Sequence, residues 1–234
     1  MKISEIIKEA TLTELTVDPG ITAALAKKGY REVGKGTDQL VFAEPGTGMI
    51  LKIFGTNKVA RAGALSYPQK SFVAFADYCA ANPDNQFLPY FSGWETFEFK
   101  GQNYLQIRTE RLFEAKGAKN MMYAMEQMVD YIRQDPSLTP AEVLWKIDRN
   151  SLDIIGYADD EDNPAGPAGV EPVILMMGGL QEFEMFVKTC SDLSTIAAKN
   201  GFYLDLHKDN FMLGSDGHIV INDPFFSGWS KREI

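Results

Sequence analysis

The chain has 234 residues, long enough for one substantial domain or two small lobes, and its 45% apolar composition can fill a core. A net charge of −9 and the lack of any Lys/Arg cluster argue against nucleic-acid or membrane-surface binding, since both need a basic patch. Cys79 and Cys190 are the only cysteines and lie far apart, which gives neither a disulfide framework nor metal-ligand spacing, so a reducing compartment is expected.

The opening stretch, MKISEIIKEATLTEL, lacks the unbroken apolar run of a signal peptide, and its Ile3, Ile6, Ile7 and Ala10 fall at helical spacing. The longest apolar run, residues 173–180, is too short to cross a bilayer, so a cytoplasmic protein is expected. DPGITAALAKKG reads as a second helix: Asp18 caps it, Pro19 suits its first turn and Gly29 closes it. The period then changes to two. Short β-prone runs at 30–33, 39–43 and 49–54, separated by glycine-containing turns, predict an antiparallel meander. Residues 58–80 read as mostly helical with an interruption at Pro68, and two further strands follow around the turn KGQN at 100–103.

From residue 118 the spacing is helical again. A Met-rich amphipathic helix carries Met121, Met122, Met125 and Met128 as a packing stripe, and TPAEVLWKIDRN opens with a Thr-Pro start signal. Trp94, Trp145 and Trp229 read as structural. Residues 156–172 are acidic and rich in Pro and Gly, the composition of a surface loop. A long helix over 180–199 ends at Asn200-Gly201, and a terminal hairpin pairs FML with HIVI across GSDG. Strands first, helices next and a hairpin last predict an α+β fold of two lobes: N-terminal helices over 1–28, a strand-rich lobe over 29–110 and a helical lobe over 111–234.

Chemistry concentrates in YLDLHKDNFMLGSDGHIVINDPF, residues 203–225. If the hairpin pairs, Asn210 lies across from Asn222 and Asp223, and the loop before it brings Asp205 to the same end. Two hard oxygen ligands, Asn210 and Asp223, suit Mg²⁺ carrying a phosphate chain, and a third carboxylate, Asp205, can orient or deprotonate a hydroxyl. Asp209, Asp216 and Asn222 read as turn formers.

This segment resembles the catalytic loop and metal-binding aspartate of the protein-kinase-like superfamily. The pattern D-L-x-x-x-N, a short hairpin and D-F-G stands here as D-L-H-K-D-N, a hairpin and D-P-F. The D-L-H form is also similar to the loops of aminoglycoside phosphotransferases and choline kinases. Within the superfamily the nearest likeness is to the early protein kinases of T7-like bacteriophages, with their short N-lobe, D-[LM]-H-x-x-N loop, and D-P followed soon by tryptophan, here Trp229.

The resemblance implies a two-lobed fold with a small antiparallel N-lobe and a truncated helical C-lobe. It further implies ATP and Mg²⁺ as cofactors, and transfer to a hydroxyl, foremost a Ser/Thr of a protein substrate; a small-molecule kinase or an inactive nucleotide-binding pseudokinase are the alternatives. By the same likeness Asp205 is the catalytic base, and Asn210 and Asp223 are Mg²⁺ ligands. His207 either stabilises the transferring phosphoryl group or packs the loop. In the N-terminal half, Gly34, Gly36 and Val41 match a glycine turn, with Gln39 where a third glycine is usual. Lys52 in MILKIF matches the lysine that holds the α- and β-phosphates, its bland alternative being an outward-facing strand residue. Thr109 to Leu112, including Glu110, match the adenine-contacting linker.

Three departures stand out. Tyr203 and Leu204 replace the His-Arg before the catalytic aspartate. No acidic residue lies between Lys52 and Asp77, so the usual Lys–Glu ion pair lacks a candidate; Gln69 is near the expected place and can only hydrogen-bond. The sequence ends at Ile234 without an A-P-E segment, so the acceptor is expected to be held by other parts.

Overall fold

The computed structural model describes residues 17–36, 39–55, 65, 67–114, 119–149, 174–175 and 177–226. The helix expected at 3–10, the loop 156–172 and Trp229 lie outside them, as do the side chains of Met121 and Met122. The fold is α+β. It divides into two compact units, one formed by residues up to Ala81 together with Tyr90–Arg111, the other by Asn82–Pro89 and everything from Leu112 onward. Two differences from the expected division follow. Residues 18–28 are part of the first unit rather than a separate N-terminal piece, and the excursion 82–89 belongs to the second.

The first unit is a five-stranded antiparallel sheet in the order β1 (Arg31–Lys35), β2 (Gln39–Ala43), β3 (Met49–Phe54), β5 (Gln102–Glu110), β4 (Phe91–Phe99). The central β3 is buried from Ile50 to Phe54, whereas β2 beside it buries only Phe42. Helix α1 (Pro19–Lys27) covers one face, where Ile21 meets Phe42, Leu51, Ile53 and Tyr104. It starts as predicted: the Asp18 carboxylate accepts the Gly20 N–H at 2.7 Å, Pro19 sits in the first turn, and Gly29 takes φ +86° beyond the end. Helix α2 (Tyr67–Ala81) covers the other face, where Phe72 joins Phe54, Leu105 and Ile107. Pro68 lies in the first turn of this helix, where a missing N–H costs nothing; residues 58–64 of the stretch expected to be helical lie outside the described residues.

On the α1 face, Arg108 grips Glu44 through Nε at 2.8 Å and Nη2 at 2.6 Å, and Thr47 and Tyr30 donate to the same carboxylate. The Arg108 hydrogen bond holds the Glu44 carboxyl below the usual carboxylate range, against a smaller opposing effect of burial. A depressed folded-state pKa means stabilisation that is present above the unfolded value and lost as pH falls through the folded one. Glu44→Gln is therefore expected to lose less melting temperature than the native chain between pH 5 and pH 3. Equal losses in a calorimetric pH series would remove Glu44 from the acid response.

The second unit is built on α5 (Leu180–Asn200), whose buried residues Phe183, Phe186, Val187, Cys190, Leu193 and Ala197 recur at helical spacing. Gly201 ends it with φ +70°, the left-handed cap expected. Helix α3 (Lys119–Gln134) buries Met125, Met128, Val129 and Ile132, so the described part of the methionine stripe is core. Helix α4 (Pro140–Arg149) opens with a capping box, in which Thr139 N donates to Glu142 at 2.8 Å and Glu142 N donates back to the Thr139 hydroxyl. Trp145 on α4 is largely exposed and lies outside the core.

The excursion 82–89 ties α5 to the hairpin. Asn85 donates to Thr189 at 2.7 Å, Phe87 packs edge-on against Phe186, and the Phe87 carbonyl accepts the Ile221 N–H at 2.8 Å. No helix among the described residues is long and apolar enough to cross a membrane.

Candidate active site

Two small sheets shape the segment 203–226. β8 (Phe211–Leu213) and β9 (Ile219–Ile221) form the expected hairpin, and β6 (Phe113–Glu114) adds a third strand beside β8. β7 (Tyr203–Leu204) pairs with β10 (Phe225–Phe226), Leu204 opposite Phe225. The ladder continues one step further, because the Asp205 N–H donates to the Pro224 carbonyl at 2.8 Å. Asp205 and Asp223 therefore emerge at the same end of one short ribbon. Across the hairpin, Phe211 pairs with Ile221, and the Asn222 N–H donates to the Asn210 carbonyl at 2.7 Å. The three residues nominated for the chemistry, Asp205, Asn210 and Asp223, converge, all half-buried.

The loop between the ribbons is held by its backbone. Leu206 is fully buried and pins its centre. The Asn210 side chain donates Nδ2 to the Asp205 carbonyl, and the Asn210 N–H donates to His207 at 2.9 Å, closing a single 3₁₀ turn over Lys208–Asn210. With Nδ2 committed to a carbonyl, Oδ1 is the amide atom open to a ligand. His207 accepts the Asp209 N–H on Nδ1 at 3.2 Å, so in the neutral ring the proton resides on Nε2, which lies 3.8 Å from Asp205 Oδ2. Asp223 has φ +53°, the left-handed region that non-glycine residues occupy at a cost of ~1–2 kcal/mol. Strain of this kind concentrates where geometry matters to function.

Among the described residues, no three His, Cys, Asp or Glu side chains cluster to hold a metal. Asn210 and Asp223 offer two hard oxygens and no complete cage. That donor set fits Mg²⁺, which keeps most of its shell as water and phosphate oxygen, better than a cation needing six or more protein ligands.

In the first unit the register places Gly34, Val41, Lys52 and Ile107 in one cross-strand row on the α2 face. Lys52 is buried at 6% exposure, which overturns the outward-facing alternative. Its Nζ lies 5.3 Å from the Phe72 ring centroid. Burial pushes the nearby Cys79 thiol up, with the Lys52 charge pulling the other way. Gln69 is buried on α2 and donates to the Gly55 carbonyl at 3.2 Å. Asp77, the one acidic residue of α2, is exposed and accepts the Trp94 indole N–H at 2.9 Å.

The glycine turn differs in detail from its sequence reading. Gly34 stands within β1, and neither it nor Gly36 needs a left-handed backbone. The Gly36 N–H donates to the Gln39 carbonyl at 2.9 Å, and a Cβ on Gly36 would come within 3.2 Å of Gln39 Cγ. Residues 37–38, the tip of this turn, lie outside the described set.

The expected linker contains the boundary between the units, which falls after Arg111. Glu110, nominated for adenine contact, donates its N–H to the Tyr90 carbonyl at 3.0 Å and accepts the Tyr90 N–H on its carboxylate at 2.8 Å. Both groups brace the chain just ahead of β4, so the Glu110 N–H and Oε1 are engaged within the first unit. Leu112 is partly buried at the first position of the second unit.

Reading the sequence missed Arg133, whose Nη2 donates to the Leu206 carbonyl at 3.2 Å. It sits seventy-three positions away with no motif around it, and only its place in the last turn of an amphipathic helix gave any signal. No protein-family model matches the chain, and no curated protein sequence matches it.

Proposed function

We propose that this chain is a Mg²⁺–ATP-dependent phosphotransferase acting on a hydroxyl, with a Ser/Thr side chain of a protein as the favoured acceptor. The observation that carries the reading is the convergence of Asp205, Asn210 and Asp223 through two independent strand pairings, β7–β10 and β8–β9. The fold expectation of a two-lobed kinase is part of the same proposal, supported by the five-stranded antiparallel sheet with its helix and by the buried Lys52.

In this reading Asp205 accepts the proton of the acceptor hydroxyl as its oxygen bonds to the γ-phosphorus and ADP leaves. The Asp205 carboxylate makes no hydrogen bond to a described residue, so it is open to that proton. His207, with hydrogen on Nε2, can donate to a phosphoryl oxygen beside it. Asn210 Oδ1 and Asp223 would hold Mg²⁺, which supplies charge neutralisation on the phosphates when bound. Lys52 would serve the α- and β-phosphates.

Incubation with γ-labelled ATP, Mg²⁺ and a cell lysate should label protein, and chelation of Mg²⁺ should stop it. No labelled product of any kind would sink the reading. Lys52→Met is expected to fold and to bind ATP ~10- to 100-fold more weakly, since a charge-assisted hydrogen bond contributes about 1.5–3 kcal/mol. Unchanged ATP-induced thermal stabilisation in that variant would remove Lys52 from the site.

One observation favours a second reading, a nucleotide-binding module without turnover: the only carboxylate of α2 is engaged by Trp94. ATP binding without transfer would select it. Label on a sugar or aminoglycoside and not on protein would select a small-molecule kinase.

A further inference from the structure

We infer that Arg133 is a positioning residue that holds the Asp205–His207 loop from outside. The catalytic consequence rests on the phosphotransferase reading; the brace itself rests on hydrogen bonding alone. Every carbonyl of the loop has a donor. Asp205 receives Asn210 Nδ2, His207 receives the Asn210 N–H, and Leu206, between them, receives Arg133 Nη2 at 3.2 Å. The first two donors are local and come with the 3₁₀ turn. The third comes from α3 and, with the buried Leu206 side chain, fixes the loop to the body of the unit.

Three features make Arg133 suited to this. Its other terminal nitrogen is held by Asp130 at 2.7 Å, one turn earlier on the same helix, so the guanidinium is oriented before it meets the loop. The helix is itself fixed, with Met125, Met128, Val129 and Ile132 essentially inaccessible. A guanidinium also makes a stronger bond to a carbonyl than a neutral donor does. The chain has Tyr203-Leu204 before Asp205, so no arginine directly precedes the loop, and Arg133 brings a guanidinium to it from a remote helix. Asp130 offsets part of the Arg133 charge.

The test uses the 234-residue chain with Arg133→Ala and Arg133→Lys, read by hydrogen exchange and by kinetics. In Arg133→Ala the amides of Asp205 and Asn210 should exchange about tenfold faster, while the amides of α5 keep their rates, which separates a loosened loop from a destabilised protein. The kcat for transfer should fall about tenfold with KM for ATP within about twofold, the split expected of a residue that orients a base without touching the nucleotide. Arg133→Lys, with a positive donor on the same stem, should recover part of both. Unchanged loop exchange, a uniform rise that includes α5, or faster loop exchange with unchanged kcat would each overturn the inference. An inactive native chain would instead sink the phosphotransferase reading, and the exchange rates would still decide the brace.

Discussion

Asp205→Asn is expected to lower the rate of phosphoryl transfer by about 10²–10⁴-fold, the range a positioned general base contributes. The amide is nearly the same size as the carboxylate, and the groups that anchor residue 205 are its backbone N–H to Pro224 and its carbonyl from Asn210, both untouched by the change. Melting temperature should therefore stay within a degree or two, and KM for ATP should hardly move. That combination separates loss of a proton acceptor from loss of the fold. Equal rates in the native chain and the variant would show that Asp205 is not the base, whatever else the loop does.

The same residues show how far the sequence could be read. The hairpin was legible because FML and HIVI alternate around a Gly-Ser-Asp-Gly turn, and once it is paired, Asn210 has to face Asn222. The β2, β3 and β4 strands and the cap of α5 at Gly201 were legible for similar local reasons. The pairing of β7 with β10 was not. Two-residue strands have no period, and what holds them is a long-range ladder between Leu204 and Phe225 closed by Asp205 and Pro224. The membership of residues 82–89 in the second unit was hidden for the same reason: it depends on Phe87 finding Phe186 and Ile221, more than ninety positions away. Glu110 shows what a resemblance leaves out. It matches the adenine-contacting linker by position, while the fold engages its N–H and one carboxylate oxygen with Tyr90, just ahead of β4. A resemblance assigns a role to a position and cannot see which polar groups the fold has already engaged.

The backbone of Asp223 offers a test in which ligand chemistry and strain can be taken apart. Asp223→Asn keeps a side chain that tolerates the left-handed region but removes the charge, so transfer should fall at least about a hundredfold, as expected when a group that supports phosphate neutralisation is lost. Asp223→Ala and Asp223→Gly both delete the side chain and should be equally inactive. Their stabilities should differ, because alanine at φ +53° meets a penalty of ~1–2 kcal/mol that glycine escapes, partly offset by the greater freedom of glycine in the unfolded chain, roughly 0.4–1 kcal/mol. The net is about 1 kcal/mol in favour of glycine, some 2–4 °C in melting temperature for a protein of this size, and opposite in sign to the usual preference for alanine. A glycine variant that is no more stable than the alanine variant would mean that the bend at residue 223 is not fixed by the fold. A glycine variant that transfers phosphate at the native rate would mean that the carboxylate is not a ligand. Only the pair of results together, inactive and relaxed, supports a residue held in an unfavourable conformation so that its oxygens face the site.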